Sequence, residues 1–480
     1  MKKYQWVITI VSIFLMYGNK LIPPFPGLSS TGMSILCIFA GTMMMLLFVS
    51  LTWPVVLSVL SYAVCGVYAL PTAISMSFGH HIFWFVAFSG MIMSSLNREG
   101  MLRRLAIWMI SRPFARKSPW VFLTTYFFVI MLVGSIMDVT AATILFSGLT
   151  AEMLYSLDVK KGDRFGEIIM LGVHVICGLS YGITPICHSV PILAMSLFSD
   201  FTSTNFLHYC IVGYVCGTLI LIAYILSFKF ILKLDISILA GFDARSLEHD
   251  FKPLSKRDKS CAFVYGFIIV LWILPSLLQN LAPAVYTFFD SLTSTMPMLL
   301  GVIIMCLWHV DGKPLMDFGK ELNEGVPWVA CFPMAAAMMI AVAMNNEEGG
   351  IPAWIAGGTT DLLSNVTPFM FVFFICIFCT VITNFASDTV ALVLASSVAT
   401  TLMAGGALDI SGLYIPGLAI ALGVVASCAY ATPAGSTYGA LISGQGWVSR
   451  KCQFIDGMLY AMFNAVVCAT LGYFLAMAIA

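Results

Sequence analysis

Two aspartates stand in stretches that are otherwise almost wholly apolar: Asp138 in "GSIMDVTAAT" and Asp388 in "TNFASDTVAL". They lie 250 residues apart, and Asn384, Ser387 and Thr389 accompany the second. Even on the lenient insertion scale a carboxylate at the centre of a membrane helix costs about 2.5–3.5 kcal/mol, so such residues mark ion or proton pathways. The bland alternative is that each aspartate only bonds neighbouring helices together. Neither has a Lys or Arg within its apolar segment, so a cation or a proton is the natural neutraliser.

A second pair of landmarks recurs at almost the same interval. "YGITPICHSVPILA" contains Thr184-Pro185, and "YATPAGSTYGALIS" contains Thr432-Pro433, 248 residues later. Proline lacks the amide proton and clashes with the preceding turn, and Gly182 and Gly435 loosen the chain beside it. Both segments read as helices broken within the membrane. A broken helix exposes amides that attract anions and carbonyls that attract cations. His188, four residues after Thr184, is an anion donor or titratable partner on one reading and a packed structural histidine on the other. A third pair, "LNREGMLRRLAIW" near Gly100 and "NNEEGGIPAWIAG" near Gly350, repeats the 250-residue interval.

The elements that position these residues must be membrane helices. The chain has 480 residues, 60% hydrophobic and 10% charged, against about 25% charged in soluble domains. Apolar runs of roughly 20 residues, enough to cross a bilayer, recur along it. They do not alternate as β-barrel strands do. The fold class is therefore an all-α polytopic membrane protein. The first run follows Met-Lys-Lys but precedes "YGNKLIPPFPG", with no small-residue cleavage site, and reads as a retained helix. Fourteen cysteines are scattered, most of them within apolar segments, and behave as small hydrophobes. No dense basic face suggests nucleic acid, so none is expected as a partner.

The 23 Lys and Arg cluster at 2–3, 98–117, 160–164, 229–259, 313–320 and 450–451, with Lys20 alone elsewhere. If the clusters are cytoplasmic, the positive-inside rule gives an inside N-terminus, about eleven crossings and an outside C-terminus. An inner (cytoplasmic) membrane is the expected location. The aspartate segments each have an apolar arm, a small polar tip and a second apolar arm. Basic residues flank the first on both sides, which favours a re-entrant hairpin over a straight span. The second half, whose "NNEEGG" carries no Lys or Arg, then has the opposite sense. Inverted repeats built around broken helices are a mark of secondary transporters.

The expected organisation follows: 1–116 a scaffold region and 117–233 a transport region, with a hairpin at 120–156 and a broken helix at 165–198. Residues 234–260 form a cytoplasmic linker. A second scaffold region spans 261–365. A second transport region spans 366–480, with a hairpin at 367–403 and a broken helix at 413–443.

With these landmarks in order, the chain resembles the divalent anion:sodium symporter (DASS) family of the ion transporter superfamily. The resemblance covers nearly the whole chain. It rests on "SLNREGMLRRLAI", "FASDTVAL", "PLSKRDKSCAFVYGFIIVLWIL", "EGVPWVACFPMAAAM" and the two Thr-Pro breaks. It implies a homodimer whose transport regions move as an elevator. It implies a Ser-Asn-Thr motif at each hairpin tip for substrate oxygens, with sodium beside the tips on the motif Asn and nearby carbonyls. The second motif here is Ser387-Asp388-Thr389, with Thr383 and Ala386 upstream. The first becomes Met137-Asp138-Val139, with Thr140 next. Both motif asparagines are aspartates, which bind a cation better, repel an anion and can take up a proton.

The reading is a cation-coupled secondary transporter of small anions, di- or tricarboxylates ahead of sulfate. Substrate contacts are assigned to Thr140, Thr184, Pro185, His188, Ser387, Thr389, Thr432 and Pro433. The coupling Na+ or H+ is assigned to Asp138, Asp388, Thr383 and the backbone at Ile183, Ala386 and Ala431. Its partners are the anion, the coupling cation, membrane lipid and a second copy; no cofactor is expected. The alternative is a Na+/H+-type antiporter on the same fold, using the paired aspartates. A membrane enzyme would have to use His174 or His188 with Asp138, and no phosphate loop, metal-ligand cluster or Ser/His/Asp set supports one.

Overall fold

In the computed structural model, residues 2–98, 100–113, 117–186, 188–242, 254–279, 281–363, 366–406, 412–433 and 435–479 are described. The middle of the expected linker, 243–253, and Arg116 of the second basic cluster lie outside the described residues.

The chain is helical almost throughout. The first half runs α1 (Lys3–Tyr17), α2 (Ser30–Phe48), α3 (Trp53–Val64), α4 (Leu70–Met76), α5 (His81–Asn97), α6 (Met101–Ile110), α7 (Pro119–Gly134), α8 (Val139–Ser156), α9 (Arg164–Gly182), α10 (Ser189–Leu197) and α11 (Phe206–Phe230). The second runs α12 (Lys256–Leu278), α13 (Pro283–Ser291), α14 (Met296–Leu307), α15 (Phe318–Glu324), α16 (Trp328–Met344), α17 (Ile351–Leu363), α18 (Pro368–Phe385), α19 (Asp388–Ala404), α20 (Ile415–Ala426), α21 (Thr437–Gly444), α22 (Arg450–Val467) and α23 (Tyr473–Ala478). A two-residue strand pair, His309–Val310 with Lys313–Pro314, is the sheet among the described residues. Six helices are long and apolar enough to cross a bilayer, or eight if α4–α5 and α15–α16, bent by 48° and 77°, each count as one.

Local sequence sets the helix starts. Ser118 caps α7, accepting from the Val121 amide at 3.2 Å, and Pro119 follows as the first helical residue. Thr367 and Pro368 repeat the device at α18, with the Met370 amide 3.3 Å from the threonine hydroxyl. A hydroxyl cap satisfies an orphan amide, and proline at the first helical position lacks the amide that would be orphaned. Each of these helices leads into a short tip, and the chain returns along α8 or α19.

One group of helices packs α2, α3 and α5 against α16, with α12 and α14 on α5. A second group packs α7–α11 with α18–α23. Between them, α10 touches α5 and α16, and α19 touches α16.

The basic clusters meet one another. Arg98 pairs with the fully buried Glu321, and Arg104 with Asp258 at 3.4 Å. Arg257 donates to the Pro314 and Leu315 carbonyls at 2.9 and 2.5 Å. Arg164 pairs with Asp456 at 3.5 Å, and Lys161 donates to the Gln445 carbonyl at 2.5 Å. A separate network joins Ser29 to the Gly349 carbonyl at 2.8 Å, Asn346 to Tyr68 at 2.9 Å and Trp354 to the Pro26 carbonyl at 3.1 Å. Residues 26–29, 68 and 346–354 thus share one end of the bundle, remote in sequence from the arginine clusters.

Candidate functional site

The first tip is Ser135–Asp138, between α7 and α8. Asp138 caps α8: its Oδ1 accepts from the amides of Thr140 and Ala141, each at 3.0 Å. Amides at a helix start are otherwise free to meet an anion. The carboxylate of the chain itself takes that place, because Asp at an N-cap satisfies two orphan donors at once. Asp138 is exposed and Thr140 half-buried. Ser135 shares a 2.6 Å hydroxyl contact with Tyr214, and Tyr265 of α12 donates to the Ile136 carbonyl at 3.1 Å.

The second tip is Ala386–Ser387, between α18 and α19. Asp388 Oδ1 accepts from the Thr389 amide at 2.7 Å and from the hydroxyls of Ser387 and Thr389 at 3.2 and 3.4 Å. Both aspartates are therefore acceptors at the start of the second arm. Asn384, one turn earlier and fully buried, fastens this tip to the second break. Its amide nitrogen donates to the carbonyls of Thr380 and Cys428 at 2.8 and 3.1 Å. Its oxygen accepts from the amides of Tyr430 and Ala431 at 2.9 and 2.7 Å.

The two helices with Thr-Pro pairs are interrupted at 183–188 and 427–436. Each pair's threonine holds the tip of its own half. Thr184 donates to the Ser135 carbonyl at 2.7 Å, and Thr432 to the Asn384 carbonyl at 2.6 Å. Pro185 is buried and Pro433 exposed. Thr383, assigned from sequence to the cation, is fully buried and donates to the Ala426 carbonyl at 2.6 Å. The Ile183 carbonyl lies against Gly213 of α11: a Cβ there would stand 2.0 Å from its oxygen. Gly457 of α22 meets the second break in the same way, with a Cβ 2.7 Å from the Tyr430 oxygen. Only glycine permits so close an approach of a helix to a bare carbonyl. Ala431 presents its amide to Asn384, and Ala386, within the tip, is buried.

One side chain lies within electrostatic range of both aspartates. Tyr181, at the end of α9, interacts electrostatically with both Asp138 and Asp388. Its hydroxyl shares a 2.6 Å hydrogen bond with Ser189. The His188 ring is fully buried, 5.1 Å from the Tyr181 ring and against the backbone of Gly134 and Ser135. That backbone lies near the ring, yet neither nitrogen of His188 reaches a hydrogen bond of good geometry among the described residues. Likewise, among the described residues no salt bridge reaches either aspartate. Carboxylate, hydroxyl and carbonyl oxygens are the donors that suit hard cations, and a carboxylate also takes a proton. Asn384, Tyr181, Ser135 and the two glycines went unassigned in the sequence. The polar character of Asn384 was the one signal available, since tyrosines and glycines in apolar runs look like core.

No family model matches the chain. It is 23% identical over 333 residues to an uncharacterised transporter of Methanocaldococcus jannaschii, 68% of each chain. It is 26% identical over 163 residues to a sodium-dependent dicarboxylate transporter of Staphylococcus saprophyticus, which is 34% of this chain and 30% of that one. The structure of Neisseria gonorrhoeae MtrF, described among a class of antimetabolite efflux pumps, superposes with a TM-score of 0.52 at 12% identity. That match covers 98% of this chain and 95% of MtrF and shows a shared fold. The proteins this chain resembles are membrane transporters and not enzymes, which supports a transporter role for it.

Proposed function

We propose that the chain is a cation-coupled secondary transporter of small anions, with di- or tricarboxylates as the leading substrates. The observation that carries the proposal is the matched construction of the two tips. In each half an aspartate opens the second arm, and the threonine of a Thr-Pro break holds the tip carbonyl at 2.6–2.7 Å. Two such acceptor-rich tips, both within electrostatic range of Tyr181, support a centre where a cation and an anion neutralise each other. The partial likeness to a sodium-dependent dicarboxylate transporter supports the choice of substrate class.

Asp138 and Asp388 hold the coupling Na+ or H+. Thr140, Ser387, Thr389 and the unpartnered His188 face the anion. Thr184, Thr432 and Asn384 position the tips. On this reading the hairpins open to opposite faces, the arginine clusters are cytoplasmic, and the helices carrying the tips move against α5, α12, α14 and α16 within a homodimer. The filled amide positions at Asp138 also favour a second reading, Na+/H+ exchange without an organic substrate, because the chain's own carboxylates stand where an anion would bind.

The test is uptake of labelled succinate and citrate into proteoliposomes under a sodium or a proton gradient. The parent is compared with D138N/D388N. Sodium-driven uptake that survives in the double variant means that oxygen ligation suffices. Proton-driven uptake lost in it makes the aspartates the proton carriers. No uptake under either gradient, with pH-driven sodium flux present, selects the antiporter.

A further inference from the structure

Five aromatic rings run in contact from one tip to the break behind the other. His188 stands 5.1 Å from Tyr181 at 90°, and Tyr181 stands 6.5 Å from Tyr438 at 67°. Tyr438 stands 5.4 Å from His174, and His174 stands 5.7 Å from Tyr430 at 76°. Three of the pairs are edge-to-face and the Tyr438–His174 pair is tilted at 44°; all four separations fall in the favourable range for ring pairs. Tyr181 is 8% exposed and the other four are fully buried.

Both ends are fastened to the site. His188 lies on the backbone of Gly134 and Ser135, beside the first tip. The Tyr430 amide is bonded to Asn384 at 2.9 Å, beside the second. The middle is fastened too: the Tyr181 hydroxyl is bonded to Ser189 at 2.6 Å, and Tyr438 donates to the Ser427 carbonyl at 2.6 Å. His174 and Tyr181 sit seven residues apart on α9, two turns along one face. Tyr438, from the other half of the chain, packs between them. Tyr438 also interacts electrostatically with Asp388, as Tyr181 does with both aspartates. Rings packed at core density cannot shift independently, so a displacement at one tip is transmitted to the other.

We propose that this ring ladder couples the Asp138 tip to the Asp388 tip, with Tyr181 as a positioning residue. The proposal rests on the two tips acting as one transport site, but its test does not need transport. The full chain is purified as D138N, D388N and D138N/D388N, in the parent and in Y181F and Y181L backgrounds, and melting temperature is read. Coupled sites give non-additive shifts and independent sites additive ones. In the parent and in Y181F, which keeps the ring, the double variant's shift departs from the sum of the single shifts. In Y181L the shifts add within error. Non-additivity that persists in Y181L overturns the proposal, and so does additivity in the parent. If Y181L does not fold, Y438L removes the neighbouring rung and carries the same two outcomes. A lack of anion uptake by the parent counts against the transporter reading and leaves this cycle readable.

Discussion

The Thr432 hydroxyl donates to the main-chain carbonyl of Asn384 at 2.6 Å, across 48 residues of sequence. Thr184 makes the equivalent bond to Ser135 in the first half. A hydroxyl assigned from the sequence to the substrate also fixes the turn that presents the aspartate. Replacing either threonine with valine keeps the shape and removes the donor. T184V and T432V should each lose about 1 kcal/mol of stability, the usual net value of one hydrogen bond. Each should lower uptake at least tenfold, and serine should restore it. Thermal melting and initial uptake rates check this; valine variants with parental uptake would show that the bonds do not position the site.

Asn384 makes four hydrogen bonds from one amide. N384A leaves several buried groups unpaired, at about 1–3 kcal/mol each, and should be among the most destabilising single changes in the second half. N384D keeps an acceptor for the Tyr430 and Ala431 amides and loses the two donors, so it should fall between N384A and the parent. Melting temperatures in a single detergent rank the three; N384D below N384A contradicts the assignment.

Gly213 and Gly457 press α11 and α22 onto the carbonyls of the two breaks. A methyl group at Gly213 would stand 2.0 Å from the Ile183 oxygen, and one at Gly457 would stand 2.7 Å from the Tyr430 oxygen. Overpacking of this kind costs about 1–3 kcal/mol, so G213A and G457A should both be destabilised, G213A the more. Gly266 of α12 has nothing within 4 Å of its would-be Cβ. There G266A should be neutral or stabilising, since alanine is the better helix former.

Arg98 and the fully buried Glu321 join the end of α5 to α15. R98A strands a buried carboxylate, and breaking such a pair costs about 3–5 kcal/mol. The apolar double variant R98M/E321L removes both charges and should be more stable than R98A alone. Equal melting temperatures for the two would place Glu321 in water rather than in the protein interior.

Much of the arrangement was legible because membranes write in long runs. The apolar stretches, the Thr-Pro pairs and the isolated aspartates are all local signals, and the helices, their interruptions and the tips fall at those residues. What joins them was not local. The oxygen of Asn384 meets amides 46 and 47 residues away, and no periodicity encodes that distance. Tyr181 and Tyr438 sit in apolar runs, where a ring that packs and a ring that links two sites have the same appearance. The same holds for Gly213, whose role depends on a carbonyl from another helix.

The carboxylate of Asp138 already rests on the amides of Thr140 and Ala141. It is a resident competitor, tethered and never diluted. On the proposed reading an arriving anion has no claim on those amides until a cation or proton draws the aspartate away from them. Order of binding then follows from geometry alone: the cation comes first, the anion second. Leak of the anion by itself is suppressed without a separate gate.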